Sequence, residues 1–555
     1  SLAAERWQRA LERLKTDFQR LFVTPDGGGV FDHLNADGTP DPLLRPNQIF
    51  ATHLLDDSTR AKVVHTVFNN LTYEYGVASL SQDEENFHPY HQFEPYYPKD
   101  AAYHNGTVWT WLQGQVISEL CRLWKEDLAA RLTNNTVLQI LDRGAVGTQS
   151  ELLDAVPRPR EKEPRLSGTF SQAWNLAEFI RNFYDDYLGA KVSKFRHTFV
   201  LHPSLPKFLG KVKARINLEG RAFDIEIDQR RNTKTISVKS PALRRSGAGI
   251  VVLPTTSGTK ATISFDLLSN AHVRVVMRDT NISVSSDGVG HPFTSDFASI
   301  PSHGVLENLA FAEPRIKPGL KALRGPDYPL IPHSRLKSTN LSARIFIDAA
   351  DPVGDDVGAG AYTYPNHPYF ASGILDITRF TVSHDDSNAH FTLKFRALSN
   401  PGWHPEYGFQ LTYVAIAIDE NGVRSSGTRI VPHNSNYTVD EEHAYEKLIL
   451  VGGGVRLEDS KGKILAAYIP TETDVKNPLG YTASGTISFA MPCSYLGKPD
   501  KNWTFTVLVG GQDDHGGSGL GEFRTVNKDA GEWNGGGKKR PDEPNVYDVL
   551  QATIK

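Results

Sequence analysis

The chain reads as a multidomain α + β protein, with a helical N-terminal region followed by two β-sandwich domains. Three observations predict this. Its 555 residues exceed what one hydrophobic core supports, so several domains are expected. Over the first 190 residues, apolar side chains recur at three- and four-residue spacing, the period of a helix with one buried face. Beyond that the period falls to two, in short runs separated by Gly, Asn and Pro, as in the strands of a sandwich.

Trp7, Leu11, Leu14, Phe18 and Leu21 mark a helix over 4–22. Further helices are expected at roughly 58–70, 107–131 and 172–188. In the last, Trp174, Ala177, Ile180, Phe183, Tyr184 and Tyr187 share a face, and Ser171 is placed to cap the start. About half a dozen helices fit in this region. From 191 to 313 the strand candidates are 198–201, 211–216, 223–227, 235–238 and 273–276. Residues 314–340 read as a linker, because Pro314, Pro318, Pro326, Pro329 and Pro332 interrupt any regular element. Strands return over 341–555, at 343–347, 373–382, 389–395, 410–419 and 504–509.

Composition narrows the function. With 60 basic and 64 acidic residues there is no cationic excess to suit nucleic acid. No apolar run reaches the ~20 residues of a membrane helix. Cys121 and Cys493 fall in different predicted domains, so the fold is not built on a disulfide framework. Ser1 stands where an initiator Met is expected, and the apolar stripe of 4–22 needs a partner surface. The expectation is a fragment or processed product of something longer.

Tyr103-His104-Asn105-Gly106-Thr107-Val108-Trp109-Thr110-Trp111 gathers an imidazole, an amide and two indoles around a glycine turn. Aromatic faces cover the C–H patches of a sugar ring while polar groups hold its hydroxyls, so a sugar cleft suits this set. A helix start with both indoles in the core is the competing reading.

Four further segments accompany that stretch in a fixed order. They are Arg45-Pro46-Asn47-Gln48, 71–81, Ser150-Glu151-Leu152 and Ser171-Gln172-Ala173-Trp174-Asn175-Leu176-Ala177-Glu178. Together they resemble the C-terminal part of glycogen debranching enzymes of the amylo-1,6-glucosidase type. The resemblance implies part of an (α/α)6 barrel for residues 1–190, with a site at one end lined by these loops. It implies Glu151 as general base of an inverting glycosidase. It also implies Arg45, Asn47, Gln48, Tyr103, His104, Trp109, Gln172 and Trp174 as substrate-binding residues. The family's general acid has no match here, which places it on a missing N-terminal segment or a partner chain from the same precursor. Lys99 stands where the family carries Arg, which alters one subsite contact, since only Arg offers a rigid fork of donors. Independently of the resemblance, Glu151 follows Gly144 and Gly147 in a polar loop where a carboxylate stays ionised. An N-terminal helix acid complementing the dipole is the alternative.

Residues 341–555 resemble the C-terminal, DOMON-like β-sandwich domain of glucodextranases. The resemblance rests on residues 351–365, Gly373-Ile374-Leu375-Asp376-Ile377, Gln512-Asp513-Asp514 and 545–550. It implies a domain that holds glucan or cell surface on an exported protein, whereas the debranching resemblance alone implies a cytoplasmic one. Asp351, Asp355 and Asp356 beside glycine turns suit a hard cation such as calcium, although Asp and Gly also dominate plain turns. No cofactor is required by the chemistry. Trp403, Trp503 and Trp533 offer either a glucan-stacking surface or core.

The expected protein is therefore the C-terminal part of an extracellular or cell-surface α-glucan debranching hydrolase. It would act on the α-1,6 bonds of a glycogen, starch or dextran-like substrate. The competing reading is a non-catalytic surface-layer or filament protein that binds glucan on a degenerate barrel.

Overall fold

Apolar spacing and an aspartate cap account for the first helices. In the computed structural model α1 spans Leu2–Phe22, and its C-terminal Phe18 and Phe22 pack against the core, their rings stacked at 5.1 Å. Trp7, Leu11, Leu14 and Leu21 of its stripe are exposed. Helix α2 (Asp57–Leu71) starts on Asp56, whose carboxylate accepts from Ser58 N and Thr59 N. Its Val63, Val64, Val67, Phe68 and Leu71 are buried. The described residues are 2–93, 96–97, 99–193, 197–218, 220–230, 233–243, 246–300, 304–338, 343–424, 426–514 and 519–553. Among them no helix is long and apolar enough to cross a membrane.

The helix expected over 107–131 is two helices. After the short α3 (Lys99–Tyr103; the Lys99 side chain lies outside the described residues), α4 spans Gln113–Arg122 and α5 spans Glu126–Asp142. The break falls at Trp124, whose φ of 51° is left-handed and incompatible with a continuing right-handed helix. The last helix of the region, α6 (Ala173–Arg181), runs into one wider turn over Asn182–Tyr187. Ser171 does not cap it: Gln172 holds that position without a side-chain bond, and Ser171 Oγ pairs with Thr148 Oγ1 at 2.7 Å.

Between these helices runs a sheet that periodicity does not announce, since its strands are two or three residues long. Thr72–Tyr73, Gly76–Ala78, Val108–Trp109, Leu152–Leu153 and Leu166–Ser167 pair in that order. Val77 faces Trp109, Trp109 faces Leu152 and Leu152 faces Ser167. This ladder sets Glu151, one residue before its strand, beside Trp109.

The chain divides into two compact units, one of residues 1–91 and 102–321, the other of 92–101 and 322–555. In the first, the sheets follow the helices. A six-stranded sheet runs from Val289–Gly290 through Asn281–Ser286, His272–Arg278, Thr233–Lys239 and Arg221–Asp228 to Lys211–Leu218. A five-stranded sheet runs from Phe293–Ser299 through Thr259–Leu267, Gly247–Pro254 and Thr198–Leu201 to Ala190–Ser193. Burial alternates along these strands, and Phe199 of one sheet stacks on Phe223 of the other at 4.7 Å. Their inner faces share one continuous core with α2, α4 and α5.

The second unit has a five-stranded sheet, Arg344–Ala350, Ile377–His384, Asn388–Phe395, Thr486–Pro492 and Gly480–Tyr481, and a larger one centred on Thr412–Asp419 and Thr504–Asp513. Thr412–Asp419 is buried at every position, covered by one apolar cluster on each face. Its sequence is accordingly a continuous apolar run. The strand expected from Gly373 begins at Ile377, because 373–376 form the turn that leads into it. Within the proline-rich stretch, Leu320, Ile331 and Leu336 are buried, and Ile331 N donates to Ala467 O at 2.8 Å.

Candidate active site

Glycine permits the close approach from which the site is built. Gly106 sits at φ 151°, and a side chain there would meet His88 O at 2.2 Å. The turn brings three rings together. His104 lies parallel to Trp109 with centroids 5.4 Å apart, and Tyr103 meets Trp109 edge-on at 4.8 Å. Trp109 is almost fully buried and donates its indole N–H to Tyr103 O at 2.8 Å. Trp174, at the start of α6, stands edge-on to Trp109 and tilted against Trp111, and it remains 48% exposed.

These rings wall a cavity of about 480 Å³ in the first unit. Arg45, Asn47, His104, Trp109 and Trp174 line it, together with Asp32, His33, Asp41, Ser79 and Trp111. Its lining combines aromatic faces with a few amide and charged groups, a set that suits a ring with apolar faces and polar edges. Asn47 Nδ2 donates to Asp32 Oδ1 at 2.8 Å, leaving its carbonyl oxygen for another donor. Arg45 works as a clamp: its guanidinium donates to Ser79 O, His104 O and Asn105 Oδ1, at 3.3, 2.6 and 2.9 Å. The fork thus fixes the turn that carries His104.

Gln48 is not at this cavity, against expectation. It is buried, its Oε1 accepts from Val30 N at 3.1 Å, and its Nε2 donates to Arg45 O at 2.8 Å. Both ends of the amide serve the backbone. Asp32, Asp41 and Trp111 are lining residues that the expected substrate-binding set omits. Asp32 and Asp41 look like loop acids in sequence, and only the folding of 23–45 brings them here.

Glu151, Tyr103 and Gln172 do not line this cavity either; Tyr103 joins the buried Glu151 to it, its ring edge-on to His104 and Trp109 of the wall. Tyr103 Oη donates to Glu151 Oε1, and Thr169 N and Oγ1 donate to Oε2 at 2.9 and 3.2 Å. Burial opposes the carboxylate, but Thr169 N, Tyr103, Thr169 Oγ1 and Gln172 outweigh it and hold its pKa below the ordinary value. Glu151 therefore carries a charge at neutral pH. It immediately precedes the inner strand Leu152–Leu153 and not a helix, so it does not serve a helix dipole. A larger open cleft, about 710 Å³ and lined by Arg131, Arg143, Lys162 and several prolines, touches none of these residues.

In the second unit, Asp351 and Asp355 converge with Asp548, their oxygens within 4.8 Å of one another. Asp356 does not join them, because it is buried and accepts from Tyr364 Oη. Burial, then the Asp355 charge, pushes Asp351 up to about 6, and burial above all pushes Asp548 up to about 7. The tryptophans of this unit divide. Trp503 is core, whereas Trp403 is exposed beside Tyr369 and Trp533, and His367 stacks on Trp533 at 4.1 Å.

An ionised carboxylate near an aromatic-walled cavity is an arrangement compatible with glycoside hydrolysis. Residues 3–181 match the family model described as amylo-alpha-1,6-glucosidase. Residues 346–555 match the C-terminal binding-module, SLH-like, of glucodextranase. The comparison with curated proteins returns no match. Residues 3–181 are thus similar to the amylo-alpha-1,6-glucosidase family and residues 346–555 to the glucodextranase binding module.

Proposed function

We propose that the first unit belongs to an inverting α-1,6-glucan hydrolase in which Glu151 is the general base. One observation carries the reading: a carboxylate held ionised by Thr169, Tyr103 and Gln172, and joined by Tyr103 to the cavity walled by His104, Trp109 and Trp174. Inversion needs a base that activates water on one face of the sugar and an acid about 6.5–9.5 Å away on the other. Glu151 takes the water's proton. The rings cover the apolar face of the terminal glucose, and Asn47 Oδ1 and the Asp32 carboxylate accept from its hydroxyls.

The acid comes from outside this chain, on the remaining part of an (α/α)6 barrel supplied by a preceding segment or a partner chain. Supporting this, apolar side chains on two helical faces are exposed: Trp7, Leu11 and Leu14 of α1, and Ile180, Phe183 and Tyr184 in and after α6. The second unit holds glucan or cell surface at an extracellular location, with the exposed Trp403 and Tyr369, backed by the half-buried Trp533 and His367, as a stacking surface. The division into 1–190, 191–313, the 314–340 linker and 341–555 is proposed with it.

Glu151→Gln tests the reading on the chain joined to its partner segment, with isomaltooligosaccharides as substrate. Hydrolysis falls at least ~10³-fold while substrate binding survives, because the amide keeps the shape but takes no proton. Hydrolysis unchanged by Glu151→Gln refutes the role. If the wild-type assembly binds these glucans without any turnover, the chain is the glucan-binding surface protein.

A further inference from the structure

Five carboxylates crowd one end of the second unit, at the ends of strands from both sheets. Asp351 follows Arg344–Ala350, Asp376 precedes Ile377–His384, Asp548 opens Asp548–Thr553, and Asp355 and Asp356 lie in the loop after Asp351. Among the described residues, the cation paired with this group is Arg396, whose Nε lies 3.2 Å from Asp376 Oδ2. Asp356 is satisfied by Tyr364. One guanidinium facing five carboxyl groups leaves a large uncompensated charge in a partly desolvated place.

Two oxygens make the arrangement more than an acidic loop. Asp376 is fully buried, and while its Oδ2 accepts from Gly354 N at 2.9 Å, its Oδ1 has no hydrogen-bond partner. Asp351 Oδ2 is also shut away from solvent without a partner. The Asp376 charge acts on Asp351, and the Asp355 and Asp356 charges act on Asp376, so all four share one electrostatic space. A buried acceptor left bare costs roughly 1–3 kcal/mol, more when charged, so such oxygens imply a positive group that meets them. Elsewhere in this end of the fold the same residue type is satisfied: Asp548 Oδ2 accepts from Ile377 N at 2.9 Å.

We propose that Asp351, Asp355 and Asp548 bind one calcium ion, with the charge of the buried Asp376 acting on the same group. The donors are all hard oxygens, with neither His nor Cys in the group, which excludes the zinc pattern and favours calcium or magnesium. The three oxygens lie within 4.8 Å of one another, close enough to share one ion, and their mixed loop and strand-end setting suits the flexible coordination of calcium better than the strict octahedron of magnesium. The ion would tie the loop after Arg344–Ala350 to the start of Asp548–Thr553, and so link the two sheets.

The test uses the full chain, freed of metal with a chelator and titrated with calcium chloride. Calorimetry is to show one site per chain, and thermal unfolding of the second unit is to shift upward with calcium and less with magnesium at equal concentration. Asp355→Asn, at an exposed position that tolerates the change, is to weaken binding at least tenfold and remove the shift. Asp351→Asn is to do the same, and Asp386→Asn, whose carboxylate is exposed and paired with Lys498, is to change neither. No heat and no shift at 10 mM calcium overturn the site. Full calcium binding retained in both Asp355→Asn and Asp351→Asn overturns it equally, since the ion would then lie elsewhere.

Discussion

Gly168 gives the most direct physical test of how Glu151 is held. Its φ is 72°, and a Cβ built on it would lie 2.7 Å from Glu151 Oε2, 2.9 Å from Glu151 Cβ and 3.2 Å from Glu151 Cδ. Oε2 cannot swing aside freely, because Thr169 N and Oγ1 both bind it, and Glu151 Cβ is fixed by the backbone. Gly168→Ala therefore carries two costs. A left-handed non-glycine residue costs about 1–2 kcal/mol. Overpacking against an anchored neighbour costs a further 1–3 kcal/mol or so. Gly147 supplies the control, with φ 87° and nothing within 4 Å of its Cβ position. Gly147→Ala should lose only the backbone share, so the difference between the two variants, about 1–3 kcal/mol, isolates the crowding at Glu151. Urea unfolding followed by tryptophan fluorescence reads it, since Trp7, Trp109, Trp111, Trp124 and Trp174 all lie in the first unit. Placed on Glu151→Ala, Gly168→Ala should cost less, because two of the three close atoms are gone. Equal losses for Gly168→Ala and Gly147→Ala would refute the reasoning.

Two further outcomes follow from buried charges in the same unit. Glu119 on α4 has a side chain only 2% exposed; it binds Arg60 of α2 at 2.9 Å, Arg122 at 3.0 Å and Thr52 Oγ1 at 2.9 Å. Glu119→Ala should cost about 3 kcal/mol in urea unfolding, the low end for a broken buried pair because both arginines reach some solvent; a loss under ~1 kcal/mol would contradict it. His202 is pushed down to about 4 by burial and by Lys260, Lys191 and Arg122, with its ring edge-on to Trp124. The unfolded chain takes up that proton near pH 6.5 and the folded one only near 4, so stability falls as pH drops through this window, by roughly 3 kcal/mol at most. His202→Gln should flatten the fall between pH 6.5 and 4; parallel curves for the two proteins would count against it.

What the sequence makes legible is what depends on local period. The stripe of α1, the apolar face of α2 and the alternating strands of the first unit follow from spacing that each segment carries by itself. The errors lie where distant contacts decide. A run that reads as one helix is cut at Trp124 by a single left-handed residue, and the strands around Glu151 are too short to show any period. At the cavity, residue types are readable and their aim is not. Gln48 neighbours two lining residues yet turns away to meet Val30 N, and Asp32 enters through a loop that no motif marks. Asp548 stands almost two hundred residues from Asp351, so spacing favoured Asp356, whose partner Tyr364 is visible only in three dimensions.

The donors that hold Glu151 also decide at what acidity it can work. Its pKa lies below the ordinary carboxylate value, so it contributes stability that is complete above the unfolded value and is lost as pH falls through the folded one. A general base must be ionised, so the acid limb of kcat/KM should lie at the same low pH, below that of a free glutamate. Removing one donor must then move both quantities together. Tyr103→Phe keeps the ring against His104 and Trp109 and deletes only the hydroxyl on Oε1. It should raise the Glu151 pKa, shift the acid limb to higher pH and cost roughly 1.5–3 kcal/mol at neutral pH, the range for a hydrogen bond to a charged group. A structural tyrosine with no bearing on Glu151 would lower stability and leave the pH profile in place. An unshifted limb with unchanged stability would mean that Thr169 and Gln172 had taken over the vacated oxygen. Only movement of both ties the folding of this short sheet to the proton transfer it is proposed to serve.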